Sequence, residues 1–251
     1  MSGCDSVGDR LVPFETAIEI LLDSAPVLAE TEQLDTGNAL GRVLAQSLVS
    51  SLNVPPLDNS SMDGYAVRAS DITEPGVSLP VSQRIVAGAV GMPLQPGTAA
   101  RIFTGAPIPP DADVVVMQEL CDAKGDEVTV NDAVQRGQNI RKAGEDIASG
   151  TVILEPGIRM RAQELGLAAS IGLSPLTVYR KLRVGIFFTG DELVTPGKPL
   201  GPGQIYNSNR YSLIGLLQAM GCEIIDLGIV PDNLESTKAT ILTAVEQSDL
   251  V

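Results

Sequence analysis

The chain has 251 residues, 44% hydrophobic and 19% charged, which is enough apolar material to bury a core and too much for a disordered chain. With 31 acidic residues against 17 Lys and Arg, its net charge of −14 disfavours phosphate backbones, and four Phe, four Tyr and no Trp offer little for base stacking, so nucleic acid is not an expected partner. Histidine is absent, which excludes Ser-His-Asp triads, Cys-His pairs and His-ligated zinc within the chain; acid–base work and metal ligation fall mainly to Asp and Glu, and an all-oxygen metal site favours magnesium.

Cys4, Cys121 and Cys222 are far apart and form no CxxC, so neither a zinc knuckle nor a redox motif is indicated, and a reduced, cytoplasmic compartment fits. No signal region precedes the first element and no apolar run reaches membrane length.

In chain order, residues 1–10 read as a loose tail. A helix is predicted after Pro13, with Phe14, Ala17, Ile18, Leu21 and Leu22 at helical spacing. A second short helix is predicted across Asn38 to Gln46, with Asn38 as its cap. From Pro55 the texture turns to short apolar runs (Ile85 to Ala87, Arg101 to Thr104, Asp113 to Gln118, Glu127 to Val130) between Gly, Pro and Asp, the pattern of an all-β insert over 55–135. A bridging segment follows, with a turn at Glu155-Pro156-Gly157 and a helix from Arg161 to about Ser170 ended by Gly172.

Beyond Lys181 the pattern is parallel α/β. Val184 to Phe188 is a wholly apolar strand, Ser208 can cap a helix over Asn209 to Met220, Glu223 to Ile229 is a second strand and Leu234 to Glu246 a second helix. Leu250-Val251 reads as the opening of a third parallel strand, so the chain is expected to be a truncated version of a longer protein. The fold class is therefore α+β and α/β multidomain, with the α/β part at 182–251.

In an open α/β sheet, ligands bind beyond the carboxyl ends of the strands. Thr189-Gly190-Asp191-Glu192 and Pro231-Asp232-Asn233 occupy those places, and together they make Glu192 and Asp232 candidates. Asp58 to Tyr65 holds carboxylates, hydroxyls and an amide on one loop, although its Asp-Gly signal reads first as a well-made turn. Gly144-Glu145-Asp146 beside Arg141 and Lys142 reads as a solvated turn with local ion pairs.

Pro-Pro-Leu-Asp-Asn-Ser-Ser-Met-Asp-Gly-Tyr-Ala-Val (Pro55 to Val67) closely resembles the signature of the molybdopterin molybdenumtransferases, the family of MoeA and the gephyrin E domain. Arg101 to Pro107, Val114 to Glu119, Asn139 to Ile147, Thr189 to Leu193, Gly203 to Asn209 and Leu227 to Asp232 resemble further family segments in the family's order. The resemblance runs from about residue 13 to the last residue. It implies a segmented linker domain (11–54 and 136–181), an inserted β domain (55–135) and an incomplete molybdopterin-binding α/β domain (182–251).

It further implies a homodimer with its site between the α/β domain of one subunit and the inserted β domain of the other. The implied reaction is molybdate transfer to adenylylated molybdopterin with release of AMP, dependent on Mg2+, downstream of a molybdopterin adenylyltransferase. Carried over by motif, the catalytic positions are Asp63, Thr104, Asp146, Glu192 and Asp232; Glu192 and Asp232 are the metal candidates, and Ser61, Asn207 and Ser208 the cofactor-binding ones. The family's Gly-Gly-x-Ser-x-Gly loop and C-terminal β domain would lie beyond Val251, so the isolated chain can be inactive. A pathway adenylyltransferase, which would lack the β insert, and a gephyrin-like scaffold are the alternatives.

Overall fold

A computed structural model describes residues 12–27 and 29–251, so the tail expected at 1–10 lies outside the described residues. In chain order the elements are α1 (Phe14–Ser24), β1 (Thr31–Leu34), β2 (Val43–Leu44), β3 (Leu48–Val49), β4 (Asn59–Ser60), β5 (Gly64–Val67), β6 (Val77–Ile85), β7 (Ala99–Ile102), β8 (Val114–Met117), β9 (Cys121–Lys124), β10 (Glu127–Val130), β11 (Ile140–Arg141) and β12 (Val152–Leu154). These are followed by α2 (Ala162–Ser170), β13 (Leu176–Tyr179), β14 (Arg183–Thr189), β15 (Leu193–Val194), β16 (Ile205–Tyr206), α3 (Ser208–Ala219), β17 (Glu223–Val230) and α4 (Leu234–Gln247). The chain divides into two compact units: Gln33–Thr177, and the residues up to Glu32 together with Val178–Val251. No described helix is long and apolar enough to cross a membrane.

The 33–177 unit is built on a six-stranded sheet in the order β8-β5-β7-β6-β10-β9. All its pairings are antiparallel except β6 with β7. With almost no aromatics available, aliphatic side chains cover both faces. One face carries Val67, Leu79, Val114, Val116, Val128 and Val130 around Tyr65, and the other Ile85, Leu94, Ile102 and Val115. Flanking the sheet, segments before and after it pair with each other, β3 with β12 antiparallel and Val54 bridging Ile147.

The helix predicted across Asn38 to Gln46 is not formed. A 3-10 turn at Thr36–Asn38 is followed by Gly41 at φ +75°, a left-handed conformation that ends any helix. The backbone beyond it pairs instead, Gly41 N–H to Met160 O at 2.7 Å and Leu44 N–H to Ile158 O at 2.9 Å, and Leu44 is fully buried. Helix α2 forms as expected; the Glu164 carboxylate accepts from the Arg161 N–H, and Gly172 at φ +72° follows its end.

In the other unit, β14 and β17 pair in parallel from Arg183↔Glu223 to Thr189↔Val230, with α4 packed on both strands and α3 on β17. Gly185 permits the close approach of α4, since a Cβ there would meet Ser248 Oγ at 2.7 Å and Ala244 Cβ at 3.3 Å. Leu250 bridges Val184 in parallel, as expected of the start of a third strand. Asp249 anchors this edge, accepting from Arg180 at 2.6 and 2.8 Å and from the Arg183 backbone at 2.9 Å. Those donors hold its carboxyl far below the usual carboxylate range.

Candidate functional site

On the 33–177 unit, three loops are laced together by backbone bonds. Ser60 N–H donates to Ala106 O, Gly105 N–H to Ser60 O, and Ser61 N–H to Asn139 O, while β4 pairs with β11. This lacing brings Asp63 and Thr104, 41 residues apart, into direct contact. The backbone N–H and the hydroxyl of Thr104 both donate to Asp63 Oδ1, each at 2.8 Å. The Thr104 backbone bond, its hydroxyl bond and the Arg101 charge outweigh desolvation and hold the Asp63 carboxyl below its ordinary value. Both bonds fall on one oxygen, so Oδ2 remains open to a ligand.

The neighbouring acids of this unit are engaged. Asp58 accepts from Lys142 Nζ at 2.7 Å and from the Ala143 N–H at 2.8 Å, and the lysine bond leads in lowering its pKa. Asp146 holds Arg141 Nη2 through both carboxylate oxygens at 2.6 Å, and Arg141 also reaches Glu145 at 3.3 Å. The local ion pairs expected at this turn are present. Ser61, half-buried, lies two residues before Asp63 in the same loop.

On the α/β unit, Glu192 and Asp232 are exposed on the loops that leave the carboxyl ends of the adjacent parallel strands β14 and β17. Asp191 ties the loops together, its Oδ1 accepting from the Asp232 N–H at 3.2 Å. Gly190, at φ +144°, makes room for Glu192, because a Cβ there would lie 2.6 Å from the Glu192 carboxylate. Short parallel pairing of β15 with β16 then leads to the start of α3.

The cap of α3 is Asn207, not Ser208: its Oδ1 accepts from the Arg210 N–H at 3.2 Å, and Ser208 is the first helical residue, exposed. An amide one residue earlier, on non-helical backbone at φ −72° and ψ 78°, reaches the orphan N–H groups, which a residue already inside the helix cannot do. Asn207 is 3% exposed and its Nδ2 has no partner, so it is a buried donor able to serve a bound acceptor.

Among the described residues no group of three or more Asp, Glu, Cys or His is placed to hold a metal ion. Glu192 and Asp232 form at most a two-carboxylate set, which suits a cation completed by ligand phosphates and water. Asp191, Arg141, Lys142 and Asp58 are site neighbours that the sequence places in the same segments but does not mark as site residues. Their only signal was adjacency to a candidate acid.

Residues 12–172 match the family described as MoeA N-terminal region (domain I and II), and residues 185–251 match the probable molybdopterin binding domain. A molybdopterin molybdenumtransferase of Haemophilus influenzae is 41% identical over 243 residues, 96% of this chain and 60% of that protein. One from Nostoc is 41% identical over 227 residues, 88% of this chain and 52% of that protein. The crystal structure of the molybdopterin biosynthesis MoeA protein from Pyrococcus horikoshii OT3 superposes with a TM-score of 0.88 at 34% identity, covering 96% of this chain and 66% of that one. The chain thus spans about half to two thirds of the length of the relatives it matches.

Proposed function

Since the chain belongs to the MoeA family, we propose that the whole protein is a molybdopterin molybdenumtransferase that transfers molybdate to adenylylated molybdopterin and releases AMP. The observation that carries this reading is the placement of Glu192 and Asp232 on joined loops at the carboxyl ends of adjacent parallel strands, where open α/β sheets take their ligands.

Molybdate is a dianion and the adenylylated substrate carries a phosphoanhydride, so bringing them together works against Coulomb repulsion. Glu192 and Asp232 would hold Mg2+, which when bound offsets that repulsion and polarises phosphoryl oxygens. The Asn207 amide N–H, buried without a partner, and the exposed Ser208 hydroxyl are donors for the molybdopterin substrate. Asp63, fixed through one oxygen by Thr104, keeps its other oxygen to accept from a water or a protonated oxyanion, with Ser61 beside it. Asp146 positions Arg141 at the edge of this cluster.

The division of 33–177 into a β insert at 55–135 and linker segments on either side belongs to the same reading. So does a homodimer, supported by α1, which buries none of its residues and exposes Phe14, Leu21 and Leu22 at 74, 66 and 70%. The adenylylated substrate requires an adenylyltransferase upstream, and free thiols at Cys121 and Cys222 suit the cytoplasm.

In the whole protein, Asp63→Asn and Asp232→Asn should each lower transfer about a hundredfold, because each removes a charge and leaves the side chain's shape. Melting should be unchanged, since both acids lie outside the cores. Near wild-type turnover in either variant would exclude that residue.

A further inference from the structure

The six-stranded sheet contains a second feature that the transfer reading does not use. Strand β6 pairs with β7 as Val81↔Ala99, then Gln83↔Ala100, Arg84↔Arg101 and Ile85↔Ile102, so one extra residue is inserted around Ser82. Before this bulge, Leu79 and Val81 face the cluster that holds Tyr65 and Ala99; after it, Ile85 faces the opposite cluster. Without the bulge, Arg84 would fall on the other face from Leu79 and Val81. The bulge turns it onto their face, level with Arg101, and Arg101 is in turn level with Tyr65 on β5.

Two guanidinium groups in register on strands about 4.8 Å apart repel each other. Phe103 lies between this cost and the fold: the Arg84 and Arg101 guanidinium carbons stand 4.8 and 4.7 Å from its ring centroid, and Arg101 is 5.1 Å from that of Tyr65. Among the described residues neither guanidinium forms an ion pair with a carboxylate, and Arg101 acts on Asp63 only through the longer-range attraction that lowers its pKa. Arg101 donates only to neutral oxygens, Gly64 O at 3.1 Å and Gln118 Oε1 at 2.6 Å, and Arg84 makes no ion pair among the described residues. Elsewhere Arg141, Arg161, Arg180 and Arg210 each sit on an acid. Arg84 and Arg101 line one groove of about 540 Å³, whose lining also includes Asp126 and Glu127 of the β9–β10 hairpin.

We infer that this groove is an oxyanion site in which Arg84 and Arg101 together bind a tetrahedral dianion, either a free oxyanion such as molybdate or phosphate or the phosphoryl group of a nucleotide. A planar guanidinium offers paired N–H donors matched to such oxygens, and a dianion between two of them removes the like-charge penalty. The inference stands on strand register and charge, independently of the transfer activity.

The test is titration calorimetry of the 251-residue chain at low ionic strength with sodium molybdate, inorganic phosphate and AMP. The wild type should bind at least one of them, Arg84→Gln should weaken that binding tenfold or more, and Arg84→Lys, which keeps the charge but not the paired donors, should fall between the two. Because Arg84 is exposed, a melting curve matching wild type shows that the Gln variant is folded. If AMP binds and phosphate displaces it, the phosphoryl group is the ligand; if only the inorganic anions bind, the site takes a free oxyanion. No binding at millimolar concentration, or equal binding by Arg84→Gln, overturns the inference.

Discussion

Replacing Gly64 by alanine should unfold the β sheet around Asp63 at a markedly lower temperature. Gly64 lies in β5 between β7 and β8, paired with Ile102 on one side and Met117 on the other. A Cβ on Gly64 would stand 1.9 Å from Val116 O and 2.8 Å from Val116 C, both backbone atoms of the neighbouring edge strand β8. A carbon–oxygen contact needs roughly 3.3 Å, so β5 and β8 would have to part locally by about 1.4 Å. Overpacking of this kind costs about 1–3 kcal/mol, and each ladder hydrogen bond weakened adds up to about 1 kcal/mol. With two such bonds weakened the sum reaches about 5 kcal/mol, a melting shift on the order of 10 °C at about 2–4 °C per kcal/mol. Gly105→Ala is the matched control: its φ of +80° strains any side chain, but a Cβ there meets nothing within 4 Å, so it should cost only about 1–2 kcal/mol. Differential scanning calorimetry of both variants decides the matter. Equal shifts in the two, or no shift for Gly64→Ala, would show that the clash at Val116 is not what excludes a side chain.

Asp249→Asn should destabilise the α/β unit by about 2–4 kcal/mol, because it leaves Arg180 and the Arg183 N–H facing a neutral amide. Since the folded-state carboxyl is depressed, its stabilisation is fully present above the unfolded value of about 4 and fades as the pH falls below it. Urea denaturation should therefore show a gap between wild type and variant that is constant from pH 5 to 8 and narrows below pH 4; a gap that widens in acid would reverse the assignment. Asn207→Ala should cost about 1 kcal/mol through loss of the α3 cap, whereas Ser208→Ala should cost little. Comparable losses in the two would return the cap to Ser208.

The α/β unit was legible in the sequence because its signals are local. Apolar strands followed by Asn-capped helices, the first ended by Gly221, place β14, α3, β17 and α4 nearly residue by residue and put Glu192 and Asp232 at strand ends. Across Asn38 to Gln46, Leu40, Val43 and Leu44 stand at helical spacing, but Gly41 takes a left-handed conformation that sends the segment into pairing with residues 158–160. Strand β9 (Cys121–Lys124) went unseen because it is a short sheet-edge strand with no apolar alternation. The Asp63–Thr104 contact was equally invisible to local reasoning, which read Asp63 as a turn residue; only the family resemblance joined two positions 41 residues apart. The bulge that turns Arg84 toward Arg101 is a matter of register between strands, and no spacing within β6 discloses it.

The most direct test of the proposed transfer is to follow AMP release and molybdenum incorporation together in the whole protein supplied with adenylylated molybdopterin. One AMP should appear per molybdenum inserted, only when both molybdate and Mg2+ are present, and Glu192→Gln with Asp232→Asn should suppress both products in parallel. AMP release that proceeds without molybdenum incorporation, or incorporation that survives loss of both carboxylates, would contradict the account.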